Sequence, residues 1–254
     1  MSLKIGKLVG MSRVLVIGDG CKDIFIYGDI DRISPEAPVP ILKPTNSIEN
    51  GGMAKNVEAN LKAMGCEVDL ITNLNDIVKK RYVDDKSNQM VLRVDENDSC
   101  ERVDSYLLIK LYEYDAIVIS DYCKGFLHEE DIEFVCNTYK NAFVDTKKML
   151  GGWIKNALFI KINHREHQKN FERIPNYPEL EDKIIVTRGR DGCIFRNKIF
   201  PVKEVPVKDV SGAGDTFLAG LVSEYIKSGN IAKSIKFAQE CTTKVVQKHG
   251  VATI

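Results

Sequence analysis

An α/β architecture is what this sequence predicts: a mainly parallel sheet with helices on both faces and a small projecting β-sheet. Short β-branched runs recur along its 254 residues. Segments of helical composition separate several of them, and that alternation implies parallel strands joined by helical crossovers. One stretch breaks the pattern with prolines set among β-formers, which excludes helix and points to edge strands.

Val14–Gly18 opens the series, an apolar run ending in Gly-Asp, as a buried strand does. Comparable strands are predicted at 68–72, 116–120, 142–145, 158–162 and 184–187, and helices at 56–64, 129–140 and 216–226. The segment Ile24–Lys43, with Pro35, Pro38 and Pro40, joins the alternating Gln89–Val94 in the small sheet, so lid strands are expected within about 24–43 and 79–95. A lid excludes water, which matters wherever group transfer competes with hydrolysis. In open parallel sheets ligands bind beyond the carboxyl ends of strands. Asp19, Asp121, Asp145, Asn163 and Thr187 follow such runs and are candidates as a group; each alone is equally a turn former. No repeat, linker or low-complexity tract divides the chain, which reads as one domain over 1–254.

Composition narrows the function classes. Lys plus Arg equal Asp plus Glu at 36 each, so no global field favours nucleic acid. No apolar run approaches the roughly 18 residues of a membrane span, and Met1–Gly10 lacks the apolar core of a signal peptide. Seven cysteines, none in a C-x-x-C pair, suggest neither a disulfide framework nor zinc, so a reducing cytoplasm is the expected home. His164 and His167 read as surface histidines.

The densest signal is Asp209-Val-Ser-Gly-Ala-Gly-Asp-Thr-Phe-Leu-Ala-Gly220. Gly212, Ala213 and Gly214 precede a helical segment, and such a turn can aim free N–H groups and the positive helix end at one anion. Asp215 falls beside that point, where a carboxylate makes more sense as a base than as an anion ligand. The same residues also suit an ordinary capped turn, and physics alone leaves both readings open.

The segment resembles the C-terminal signature of the PfkB (ribokinase-like) carbohydrate kinases. The resemblance implies a ribokinase-like three-layer α/β/α fold, Asp215 as catalytic base, and Gly212, Ala213 and Gly214 as the anion hole. Gly18-Asp19, Asp23, Tyr27-Gly28 and Arg32-Ile-Ser-Pro-Glu-Ala-Pro-Val-Pro40 resemble one branch, the heptose-phosphate kinases, whose module is often fused to a nucleotidyltransferase. Further matches are Gly51-Gly52 with Asn56, Ser120–Gly125, Val144–Lys147, Asn163-x-x-Glu166, and Val186–Gly189 with Gly192.

By this resemblance Asp19, Asp23, Gly51, Gly52 and Asn56 meet the sugar; carboxylates suit sugar hydroxyls because those bonds are charge-assisted. Asp19 reads equally as a strand-ending turn, and Gly51-Gly52 as a flexible loop. Asn163 and Glu166 organise Mg²⁺ and the nucleotide phosphates, Glu166 through water. Thr187, Arg188, Gly189 and Gly192 line the nucleotide, and Lys124 and Lys147 neutralise phosphate charge. Arg32, Lys80 and Arg81 are candidates for a substrate phosphate, although Lys79-Lys80-Arg81 reads as a solvated patch unless it faces the lid cleft. Asp209 and the Lys248–Thr253 loop are implied to hold a monovalent cation such as K⁺.

Two departures fall on the sugar side: a helix of the family is missing between Asp76 and Lys79, and the Gly51–Asn56 loop is one residue longer than usual. The expected activity is ATP-dependent, Mg²⁺-requiring phosphorylation of a sugar or sugar phosphate, with O1 of a heptose 7-phosphate as acceptor. The alternatives are another sugar or nucleoside, or an inactive binding relative. Expected partners are the sugar phosphate, ATP, a separate nucleotidyltransferase and a second copy through the lid sheet, where Ile24–Tyr27 offer an apolar surface; neither nucleic acid nor membrane is expected.

Overall fold

The structure, a computed structural model, describes residues 11–109, 113–248 and 250–254. The lysine-bearing start and His249 of the Lys248–Thr253 loop lie outside the described residues. Along the chain run β1 (Arg13–Gly18), β2 (Gly20–Ile33), β3 (Pro40–Met53), α1 (Ala54–Ala63), β4 (Glu67–Thr72), β5 (Ile77–Asp84) and β6 (Gln89–Glu96). There follow β7 (Ala116–Asp121), α2 (Glu129–Thr138), β8 (Ala142–Thr146), β9 (Phe159–Asn163), α3 (His164–Asn170) and β10 (Ile184–Thr187). The last elements are β11 (Cys193–Phe195), β12 (Lys198–Phe200), α4 (Ala213–Ser228) and α5 (Ile231–Val245).

The main sheet has the order β12-β11-β10-β9-β8-β7-β1-β4. From β4 to β10 every pairing is parallel; β11 and β12 close one edge as an antiparallel hairpin. β1, β7 and β8 are apolar almost throughout because helices cover both faces. One face packs Val57 and Leu61 of α1, Phe217 and Leu221 of α4 and Ile235 of α5 against Val16 and Val118. The other packs Ile132 and Val135 of α2 against Ile17, Ile119 and Ile160. That is the expected three-layer arrangement, and the six predicted strands lie where the β-branched runs placed them.

The second sheet has the order β3-β2-β5-β6, with β2–β5 parallel and β2–β3 and β5–β6 antiparallel. Of the prolines expected in edge strands, Pro40 opens the edge strand β3, whereas Pro35 and Pro38 fall in the connection 34–39 between β2 and β3. Both long strands exceed the sequence expectation. β2 starts at Gly20, and β3 runs to Met53, so Gly51 and Gly52 pair with Lys22 and Cys21 in a ladder rather than forming a flexible loop. β4 passes to β5 through residues 73–76 with no helix between, as the shortened sequence there implied. The apolar run Ile24–Tyr27 is divided: Phe25 is buried with Val83 and Val251, while Ile24 and Ile26 are half-buried. None of the helices among the described residues is long and apolar enough to cross a membrane.

Candidate active site

Asp215 lies in the first turn of α4, only 3% exposed, and both carboxylate oxygens are engaged. Tyr122 donates its hydroxyl to Oδ1 at 2.6 Å, and Asn56 donates its amide to Oδ2 at 3.0 Å. Burial pushes the Asp215 carboxyl up to about 6, against the opposing pull of those two donors and of the Lys161 ammonium. A carboxylate so placed is mostly ionised at neutral pH and takes a proton readily, as a general base requires.

The turn ahead of it is built for close approach. Gly212 has φ 76°, and a Cβ there would stand 2.4 Å from Asn56 Nδ2, so only glycine fits on both counts. The first-turn amides of a helix have no acceptor four residues back. Among the described residues, Gly212 and Gly214 make no main-chain hydrogen bond through their N–H groups, whereas Ala213 N–H donates to the Val210 carbonyl at 3.2 Å. Of the three amides expected to form an anion hole, Gly212 and Gly214 are thus the two not engaged by the main chain, while Ala213 closes the turn.

Two cavities meet at this turn. One, about 320 Å³, lies between the lid residues Phe25, Arg81, Val83 and Met90 and the segment from Val207 to Ser211. The other, about 110 Å³, is lined by Thr187, Gly189, Gly192, Ala213, Gly214 and Gln239, among others. Residues 211 and 213 therefore stand on opposite sides of one wall. The second cavity adjoins, through Val202 and Gln239, a space of about 620 Å³ between β12 and α5.

Several expected sugar ligands have other work. Asp19 is fully buried, and its carboxylate accepts from the amides of Tyr122, Lys124 and Phe126, so it fixes that loop instead of facing a sugar. Asn56 spends its donor on Asp215 and its acceptor on Asn60, so it serves the base. Asp23 is 5% exposed and ion-paired with Arg81, which lines the lid-side cavity.

Strand parity sorts the basic cluster. Ile77, Lys79, Arg81 and Val83 share one face of β5, and Lys80 lies on the other, paired with Glu96 at 2.7 Å. Lys80 is therefore replaced as a phosphate candidate by Lys79, which is 6% exposed and has no carboxylate within ion-pair distance among the described residues. Arg32 is exposed at the far end of β2, nine residues from Asp23, or about 30 Å at the usual strand rise.

On the other side, Thr187, Gly189 and Gly192, expected to line the nucleotide, line the small cavity together. Arg188 is half-buried, and its N–H donates to the Gly192 carbonyl, closing the loop. Lys124, expected at the nucleotide phosphates, is ion-paired with Asp98, just past the lid strand β6. Asn163 and Glu166 form a reciprocal capping box at the start of α3, which accounts for the spacing of three. Burial and the Asp145 charge raise the Glu166 carboxyl. Among the described residues no three His, Cys, Asp or Glu side chains are grouped to ligate a metal directly. A divalent cation keeping its waters fits better, since its charge would offset the Asp145–Glu166 repulsion. Asp209 joins its turn to the C-terminal loop by accepting from Ser211 N–H at 2.8 Å and Gly250 N–H at 3.2 Å.

Residues 135–254, which include α4 and the turn before it, match the family described as pfkB family carbohydrate kinase. The half of the chain that holds Asp215 and the turn before it is thus similar to the pfkB family of carbohydrate kinases. The bifunctional protein HldE of Hydrogenovibrio crunogenus is 28% identical over 292 positions, covering 96% of this chain and 61% of that protein. The HldE of a Nitratiruptor species is 31% identical over 290 positions, covering 95% and 63%. The chain thus spans about three fifths of the length of these relatives, and both alignments are longer than the chain itself. The relatives accordingly carry residues inside the matched region that this chain lacks. The nucleoside kinase of Methanocaldococcus jannaschii, a ribokinase-family member, superposes with a TM-score of 0.70 at 18% identity, covering 95% of this chain and 93% of that one. The fold is ribokinase-like.

Proposed function

We propose that this kinase domain transfers the γ-phosphoryl group of ATP to a hydroxyl of a phosphorylated sugar, with O1 of a heptose 7-phosphate as the leading candidate. The observation that carries the reading is the start of α4, where a buried, ionisable Asp215 directly follows a turn whose Ser211 lines one cavity and whose Ala213 and Gly214 line the other. An acceptor in the lid-side cavity gives its hydroxyl proton to Asp215. The oxygen forms a bond to the γ-phosphorus as the bond to the ADP oxygen breaks, and the proton remains on Asp215. The Gly212 and Gly214 amides and the N-terminus of the 16-residue α4 face the charge that spreads over the transferring group. Mg²⁺, when bound through waters near Asp145 and Glu166, supplies charge neutralisation at the nucleotide phosphates.

Lys79 and Arg81 support the phosphorylated acceptor. A buried lysine with no carboxylate at ion-pair distance among the described residues, on the same face of β5 as the cavity-lining Arg81, suits a dianion on the substrate. The Arg32–Pro40 resemblance to heptose-phosphate kinases supports the heptose. A monovalent cation at Asp209, a separate nucleotidyltransferase and self-association through the lid sheet belong to the same proposal. A coupled assay of ADP release over a panel of sugars and sugar phosphates tests it. Release with heptose 7-phosphate and not with free sugars supports the reading; ligand binding without ADP release from any acceptor would make the domain a sensor.

A further inference from the structure

Tyr122 has no role in the sequence-level account, yet it makes the shorter of the two contacts to the base, 2.6 Å against 3.0 Å from Asn56. It stands just past the end of β7, held in three ways. Its N–H donates to the fully buried Asp19 carboxylate at 2.6 Å. Its ring centroid lies 3.8 Å from Lys147 Nζ and 5.4 Å from Lys79 Nζ, both placed for cation–π attraction. Its edge packs against the small cluster of Cys21, Met53 and Ile77.

We propose that Tyr122 is a positioning residue for the base: its hydroxyl fixes Oδ1 of Asp215, aims the remaining lone pairs at the acceptor hydroxyl, and keeps the carboxylate ionised. The inference rests on the reading of Asp215 as base. A carboxylate offers about four acceptor positions, so one bond from Tyr122 and one from Asn56 leave room for the substrate. Burial and the Asp215 charge hold the Tyr122 phenol well above its ordinary value, so the hydroxyl is a permanent donor. Other groups face Asp215 as well. Lys161 on β9 and Lys147 beyond β8 attract its charge, and Asp145 on β8 repels it. Cys21 on β2 is pushed up to about 12 and stays neutral. Among the described residues, Tyr122 and Asn56 are the side chains that hydrogen-bond the carboxylate directly, and an O–H···O⁻ bond of this length is a strong one.

Tyr122→Phe keeps the ring and its two ammonium neighbours, removes only the hydroxyl and leaves no donor unpaired. The first readout is a ¹³C NMR titration of the Asp215 carboxyl in the free protein, which needs no substrate. The midpoint should rise above the wild-type value, and 3,5-difluorotyrosine at position 122, a stronger donor, should lower it. The second readout is turnover against pH. Tyr122→Phe should lose about tenfold in kcat near pH 6 and progressively less toward pH 8.5, with KM for ATP unchanged. An unchanged NMR midpoint in both variants, or an activity loss equal at every pH, overturns the proposal. If the protein transfers no phosphoryl group to any acceptor, the titration still decides the Tyr122 contact while the kinase reading fails separately.

Discussion

On the lid sheet, Asp23 of β2 and Lys79 and Arg81 of β5 present charged side chains; on the side formed by β10, β11 and α4, Gly189, Gly192 and Gly214 present mostly backbone. The two sides recognise by different means. Backbone donors at a helix start suit any nucleotide phosphate, whereas paired and unpaired charges on strands select one acceptor. The difference implies that substitutions on the lid side change which sugar is used, and those on the other side change how ATP is held.

Asp215 lies buried at the start of α4, next to the turn that meets both cavities, so its loss should spare both binding events and abolish the step between them. Asp215→Asn is expected to lower kcat by at least about 10²-fold, with KM for ATP little changed; equal losses in KM on both sides would break the comparison. The same variant has a stability signature. The folded carboxyl titrates near 6 and an unperturbed Asp at 3.8, so the native state binds the proton more tightly. Stability present below pH 4 is then lost as pH rises through 6. Asp215→Asn should therefore melt a few degrees above wild type at pH 7.5, with the gain vanishing near pH 4. A constant difference across that range contradicts the buried-base picture.

A backbone-built side should tolerate side chains poorly. Gly192 has φ 78°, and a Cβ there would meet the Phe200 carbonyl oxygen at 2.0 Å. Gly192→Ala is expected to cost about 1–3 kcal/mol of stability and to raise KM for ATP severalfold, leaving acceptor KM unchanged. Melting curves and steady-state kinetics with each substrate varied check both halves.

Much of this was legible in the sequence, and the exceptions have physical causes. The six parallel strands announced themselves because burial on both faces demands uninterrupted β-branched runs. The Asn163–Glu166 spacing was visible because a capping box is local, although its first duty is to α3. Helix α5 was overlooked although Ile231, Ile235, Ala238 and Val245 repeat at helical spacing. The β11–β12 hairpin escaped because Arg196 and Asn197 take positive φ values of 48° and 58° at its turn without a glycine to mark it. Lys80 was preferred to Lys79 because composition does not fix which parity of β5 faces inward. Tyr122 was invisible as a site residue, since its partner lies 93 positions away and only the fold brings them together.

The most direct test of the comparison is Lys79→Met, which keeps the buried stem and removes the ammonium. The measurement is the ratio of kcat/KM for a phosphorylated acceptor to that for its unphosphorylated counterpart, with KM for ATP recorded in parallel. The account predicts that the ratio falls by about tenfold or more, while KM for ATP stays at the wild-type value. An unchanged ratio, or a loss expressed in KM for ATP, would contradict it.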